Sequence, residues 1–333
     1  MLQFNPIFAS HAVLAARKPL RIYGTGEGSG EISFAGQTRT VTAEGGRWEV
    51  EFPPMEYGGP YDLQLKCGDT CQRLEDCYLG EVYLMAGQSN MQFKLGESNY
   101  PKEKYEGNPQ IRLFTAPRPE EGEPYNPADG WVICRKENAE KWSALGYHVG
   151  QMRARKGIAV GLIGCYQGAS VIESWLPEGT LSRLGIHIPL DLRNRDHSEN
   201  RYKAWNSDGA LYRKTLAQVF PYPVSAVVWY QGESNYYPAE SLVYKTELAE
   251  LIRIWRESFR DDALPFVVVQ IADYLPRMGE GWRNIQKAQF EIQSEVPEVK
   301  TVISADISES DNIHPPTKIR LAERISEALQ ALL

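Results

Sequence analysis

Long apolar runs are missing from this chain. Across 333 residues no stretch reaches the ~18 to 20 apolar residues that cross a bilayer as a helix. Basic runs are missing too. The net charge is −7 and the pI near 5.5, a field that favours solubility and does not attract nucleic acid. There is no internal repeat and no low-complexity tract. Cysteine is scarce: Cys67, Cys71, Cys77, Cys134 and Cys165 make an odd total of five, which argues against a disulfide framework. Cys67, Cys71 and Cys77 match no common zinc spacing and have no histidine nearby, so no metal is expected. The N-terminal MLQFNPIFASHAVLAARK lacks a basic start, and Asn5, Pro6 and His11 interrupt it. It does not read as a signal peptide. The expectation is a cytoplasmic protein, with a processed, secreted chain as the alternative.

What is there is ordinary globular material: 42% hydrophobic, 24% charged and 11% aromatic residues, long enough for about two domains. The first reads as a small β-sandwich over residues 1–77. LRIYGTG, GEISFAG, RWEVEFP and YDLQLKC are short runs with partial alternation, separated by glycine turns. The second, 78–333, changes pattern. EVYLMA (81–86), IAVGLIG (158–164), SAVVWY (225–230), PFVVVQIA (265–272) and TVISADI (301–307) are continuous apolar strands. Helical segments alternate with them near 143–155, 239–259 and 282–295, and again from Pro316. Such alternation predicts an α/β domain with a parallel sheet covered on both faces. Its ligands belong at the carboxyl ends of the strands.

Three of those strand ends carry candidate chemistry. EVYLMAGQSNM (81–91) stops a buried strand at Gly87 and presents Gln88, Ser89 and Asn90. A serine at a helix start is well placed for an oxyanion, although alone it is more often a plain N-cap. SESDNIHPPTK (308–318) places Asp311 three residues before His314. There a carboxylate can orient an imidazole whose other nitrogen faces a serine. VVWYQGESN (227–235) ends in Gln231, Gly232, Glu233, Ser234 and Asn235, whose amides are candidate oxyanion donors. CYQGAS (165–170) adds a possible backbone donor at Gly168. Of the five histidines only His314 combines this spacing with this location; His148 falls in a helix, and His187, His197 and His11 lie elsewhere. Cys165 has no base spaced to serve it. Nucleophile, base, orienter and oxyanion donors are the parts an acyl-transfer site requires.

At these residues the sequence resembles the SGNH hydrolases and, within them, the sialate O-acetylesterase family. GQSNM (87–91) is similar to its nucleophile block. YQGASVIESW (166–175) is similar to its second block, WYQGESN (229–235) to its third and DNIHP (311–315) to its last. GRWEVEFPP resembles the β domain that precedes the catalytic domain. The resemblance implies a flavodoxin-like three-layer α/β/α domain behind a small β-sandwich. It also implies a serine esterase that removes O-acetyl groups from acetylated carbohydrates, sialic acid or plant-glycan sugars, through an acetyl-serine, with no cofactor. Ser89 is then the nucleophile, His314 the base and Asp311 its orienter. The oxyanion hole comprises the N–H groups of Ser89 and Gly168 and the amide of Gln231, with Asn235 as the alternative. Gln88, Glu233 and Trp175 are candidate substrate contacts, and Tyr236 and Tyr237 could stack on a sugar ring.

The sequence departs from the family at Gln167, where many relatives carry glycine, and at Asn312, where many carry aspartate. If Asp311 does not serve, a Ser–His dyad is the fallback. Rival readings are an esterase or lipase for non-sugar esters and a non-catalytic carbohydrate binder. No nucleic-acid or membrane partner is expected, and the oligomeric state is not readable.

Overall fold

The computed structural model describes residues 1–118, 130–154, 158–188 and 204–333. Its N-terminal part is all β, as expected. Strands β1 (Gln3–Phe4), β2 (Val13–Ala15), β3 (Leu20–Thr25), β4 (Ser29–Phe34), β5 (Gln37–Thr42), β6 (Arg47–Phe52) and β7 (Gly58–Cys67) precede the long β8 (Thr70–Gly87). Alternation drives them: in β6 Trp48 and Phe52 are buried while Arg47, Glu49 and Glu51 face water. Strands β1, β3 and β6 form one antiparallel sheet, and β4 pairs with both β5 and β7.

Strand β8 belongs to both parts of the chain. Residues 70–79 pair antiparallel with β7, and Tyr78–Gly80 pair parallel with β2. From Glu81 the same strand pairs with β11 (Val160–Tyr166), and from Tyr83 also with β12 (Ala226–Tyr230), both in parallel. Burial changes with the partners. Residues 81–87 are all buried, whereas most of 70–76 is exposed or half-buried. The division read near residue 77 therefore falls within one strand, where it changes sheets.

The second part is the expected α/β domain. Adding β9 (Asn108–Thr115), β10 (Val132–Cys134), β13 (Phe266–Val269) and β14 (Val299–Val302), the strand order is β10-β9-β11-β8-β12-β13-β14. All neighbours along it are parallel except the edge pair β10–β9. Strand β9 was not readable from the sequence because Arg112 interrupts its apolar run. That side chain is 2% exposed, held by Asp76 at 3.0 Å and stacked over the Tyr78 ring.

Among the described residues the helices in chain order are α1 (Ser89–Gln92), α2 (Lys136–Ala139), α3 (Ala144–Arg153), α4 (Thr180–Arg183), α5 (Ala210–Lys214), α6 (Pro238–Phe259), α7 (Glu280–Glu295) and α8 (Ile319–Leu332). Helix α3 packs against α8, and α6 against α7, so helices cover the sheet. In α8 the buried Leu321, Ala322, Ile325 and Leu329 follow the helical spacing. The helix starts three residues after Pro316. Among the described residues no helix is long and apolar enough to cross a membrane.

The topology positions the site. Strand β8 lies between β11 and β12, and the chain fills one side of it before crossing to the other. At such a reversal the loops after adjacent strands diverge and leave a crevice at the carboxyl edge. Ser89, Gly168 and Gln231 follow β8, β11 and β12 respectively.

Candidate active site

The turn into α1 is made by Gly87. Its φ is +140°, and a Cβ there would lie 2.0 Å from the Tyr230 carbonyl oxygen, so only glycine fits. Neighbouring strands fix the turn: the Gln88 N–H donates to Tyr230 O and the Gln167 N–H to Gly87 O, both at 3.0 Å. The cap of α1 is Gln88, without a side-chain capping bond, and Ser89 is the first helical residue. The Ser89 hydroxyl is thus not spent on capping. It is partly exposed, and its Oγ lies 2.8 Å from His314 Nε2. The candidate nucleophile and the candidate base are thus within hydrogen-bond distance of each other.

His314 is more than half buried beside the Phe93 ring. Burial pushes its pKa below the ordinary value. The Lys318 and Arg277 cations push the same way, while Glu97 opposes them. The imidazole is therefore held neutral, the form a base requires. His148, by contrast, is buried in α3 and depressed to about 4 by burial alone.

The expected orienter is not brought in. Asp311 is exposed, and among the described residues no hydrogen bond joins it to His314. The loop instead closes on itself through the His314 N–H, which donates to Asn312 Oδ1 at 2.9 Å. What the structure assembles is a Ser–His dyad.

Gly168 does reach the site. A Cβ on it would lie 3.7 Å from Ser89 Cβ, and its N–H donates to Gln92 Oε1 at 2.7 Å. An amide oxygen of α1 thus occupies the position a substrate oxygen would take on that donor. Neither side-chain amide joins Gly168. Gln231 is fully buried, and both of its N–H groups are taken, by Ser170 O at 3.0 Å and Asn235 Oδ1 at 2.7 Å. Asn235 donates to Glu173 Oε2 and accepts from the Ile172 N–H. Both amides brace the loop after β11; Gln231 has no donor left for an oxyanion, and Asn235 is fully buried.

The three candidate substrate contacts are buried as well. Trp175 is 0% exposed, donates to Ser170 Oγ and packs edge-on against Trp229. Gln88 accepts from the Gly232 N–H, and Glu233 accepts from Asn90 Nδ2 at 2.5 Å. They support the site without lining it. The half-buried rings of Tyr236 and Tyr237 are stacked, and Arg277 lies over Tyr236 at 5.1 Å. Leu275 N–H donates to Ser310 O, which ties that rim to the His314 loop.

Sequence reading missed the partners of the dyad. Asn90, Lys318, Gln92 and Arg277 touch or act on it, yet no local motif marks a contact between segments more than two hundred residues apart, as Asn90 and Lys318 are. A lysine inside an apolar-spaced segment was the one available signal.

A serine on a sharp strand-to-helix turn, a neutral histidine at hydrogen-bond distance and a backbone N–H from the adjacent strand define a serine-hydrolase type of site on a parallel α/β sheet. The model of a family described as "Carbohydrate esterase, sialic acid-specific acetylesterase" matches residues 79–331, and the chain belongs to that family. It is 24% identical to the sialate O-acetylesterase of Mus musculus, covering 91% of this chain and 66% of that protein. With the Homo sapiens sialate O-acetylesterase the identity is 24%, over 91% of this chain and 64% of that one. The chain thus spans just under two-thirds of the length of these curated relatives. Among solved structures, a carbohydrate acetylesterase from Xanthomonas citri superposes with a TM-score of 0.84 at 25% identity, covering 100% of this chain and 75% of that one. An Arabidopsis thaliana protein shares the fold at a TM-score of 0.51 and 18% identity, over 76% of this chain and 98% of its own.

Proposed function

We propose that this protein is a serine esterase that removes O-acetyl groups from acetylated carbohydrates. The observation that carries the reading is the 2.8 Å contact between Ser89 Oγ and His314 Nε2. Family membership and the carbohydrate acetylesterase from Xanthomonas citri support it. Ser89 attacks the acetyl carbonyl while His314 Nε2 takes its proton. The carbonyl oxygen, now negative, displaces Gln92 Oε1 and is held by the N–H groups of Gly168 and Ser89. His314 returns the proton to the departing sugar hydroxyl. Water, deprotonated by the same nitrogen, then attacks the acetyl carbon; the bond to Ser89 Oγ breaks, acetate leaves and His314 returns the proton to Ser89 Oγ. The rim of Tyr236, Tyr237 and Arg277 supplies faces for a sugar ring.

We read the chain as two modules, residues 1–77 and 78–333, with the site wholly in the second. We place it in the cytoplasm, a reading its five free cysteines support.

The test is acetate release from acetylated sialic acids, acetylated xylo-oligosaccharides and simple acetyl esters, with Ser89→Ala as control. Release from the sugars by wild type alone is expected. Release from none of them sinks the reading, and release from simple esters alone would favour a non-sugar esterase.

A further inference from the structure

Ser89 and His314 are 225 residues apart in the chain, and no carboxylate hydrogen bond holds the imidazole among the described residues. Some other contact must set the separation of nucleophile and base. One buried side chain spans the two segments. Asn90 follows Ser89 directly and is 2% exposed. Its Nδ2 donates to Ile313 O, one residue before His314, at 2.9 Å, and to Glu233 Oε1 at 2.5 Å. Its Oδ1 accepts from Lys318 Nζ at 2.7 Å.

We propose that Asn90 is the positioning residue of this site: by gripping the Ile313 carbonyl from the residue beside Ser89, it sets the Ser–His distance that a carboxylate helps to set in a triad. The inference rests on the esterase reading above.

The orientation of the amide is dictated by its neighbours. A lysine ammonium only donates, and a carbonyl and a carboxylate oxygen only accept. A flipped amide would oppose donor to donor and acceptor to acceptor at all three contacts. Glu233 and Lys318 are themselves 2% and 3% exposed. Two buried groups of opposite charge are thereby joined through one amide, which offsets part of the cost of burying each. Burial raises the pKa of Glu233 and lowers that of Lys318 to about 7, while each partly offsets the shift of the other. The Lys318 ammonium also lies over the Phe93 and Tyr230 rings at 5.1 and 5.7 Å. Other ties of the loop lie farther from His314, at Ser310, which accepts from the Leu275 N–H, and beyond the histidine. The Asn99 N–H donates to Pro316 O at 3.3 Å, and Asn99 Nδ2 to Thr317 Oγ1 at 2.6 Å. Of these contacts, only that of Asn90 holds the residue next to His314 from the residue next to Ser89.

The experiment compares Asn90→Ala, Asn90→Asp and Lys318→Met with wild type for acetate release and thermal unfolding. Removing the grip is expected to lower kcat about a hundredfold, with KM within about threefold of wild type. Asn90→Asp keeps the shape but turns an acceptor toward Ile313 and Glu233, so it should lose as much as Asn90→Ala. A space-filling role would leave Asn90→Asp near wild type. Lys318→Met removes the donor to Asn90 and one of the two cations, with Arg277, that act on His314 against Glu97. It should lower kcat about tenfold and move the acidic limb of the pH profile upward. If the Asn90 variants do not fold, Lys318→Met decides by the same two readouts. A folded Asn90 variant with kcat within about threefold of wild type, or with a KM effect alone, overturns the proposal. So does Lys318→Met with an unchanged kcat and pH limb. An inactive wild type would instead sink the esterase reading.

Discussion

Gly87 and Tyr230 meet backbone to backbone: a Cβ on the glycine would stand 2.0 Å from the tyrosine carbonyl oxygen and 2.6 Å from its carbon. Backbone atoms in the centre of a sheet cannot move aside as a flexible side chain can, so the sharp turn that presents Ser89 depends on a missing methyl group. Gly87→Ala is expected to lose at least about 2 kcal/mol of stability, since it combines overpacking with a φ of +140°. Any folded fraction should be at least about a hundredfold less active, because the turn must shift the nucleophile. Thermal unfolding together with acetate release checks both. Wild-type activity would mean that the turn tolerates a side chain.

Asp311 and His314 have the spacing of a triad pair without its contact. Removing a working triad carboxylate costs about ten-thousandfold in kcat. Asp311→Asn should instead keep kcat/KM within about threefold of wild type. A loss beyond a hundredfold would show that the loop swings Asp311 onto the histidine during the reaction.

The pH dependence follows from the surroundings of His314. Burial, Lys318 and Arg277 hold its pKa below the ordinary value. The neutral base therefore persists into mildly acidic solution, and kcat/KM should rise with pH through an inflection below about 6.5. Arg277→Met removes one cation and should move that inflection upward. The same shift links folding to pH. The unfolded chain binds this proton at the ordinary pKa and the folded chain only below it, so the contribution to stability is full above about 6.5. It is lost as the pH falls through the folded-state value. An inflection above 7 would contradict this account of the site.

Trp175 tests the boundary between core and binding surface. Its ring is buried against Trp229 and Trp255. Trp175→Ala should cost about 3 to 5 kcal/mol in urea denaturation. The protein that remains folded should bind sugar with a near-normal KM. A raised KM at unchanged stability would restore the tryptophan as a sugar contact.

The dyad was legible because each half is a short string at a strand end. GQSNM and DNIHP sit where a parallel sheet puts its chemistry, and periodicity located the main strands. Commitments between distant side chains were not legible. Gln231 and Asn235 have the right groups and the right address, yet the hydrogens of Gln231 are taken by Ser170 and Asn235, and the buried amide of Asn235 is turned to Glu173. Asp311 has the right spacing, and the backbone of its loop leaves it facing water. Strand β9 was hidden by an arginine whose burial only Asp76 and Tyr78 explain. Asn90 lay in full view inside a motif, but its neighbours Ile313 and Lys318 are more than two hundred positions away.

The shared strand β8 sets terms for anyone breeding new enzymes from this scaffold. Its residues 78–80 are zipped to Val13–Ala15, while residues 81–87 form the spine of the catalytic sheet. A chimera that joined a foreign front quarter at the family boundary near residue 79 would splice through that zipper and leave the spine with half a neighbour. Diversity is more safely recruited from the rim at Tyr236, Tyr237 and Arg277, which can be altered like a tool head while the shaft that carries it stays whole.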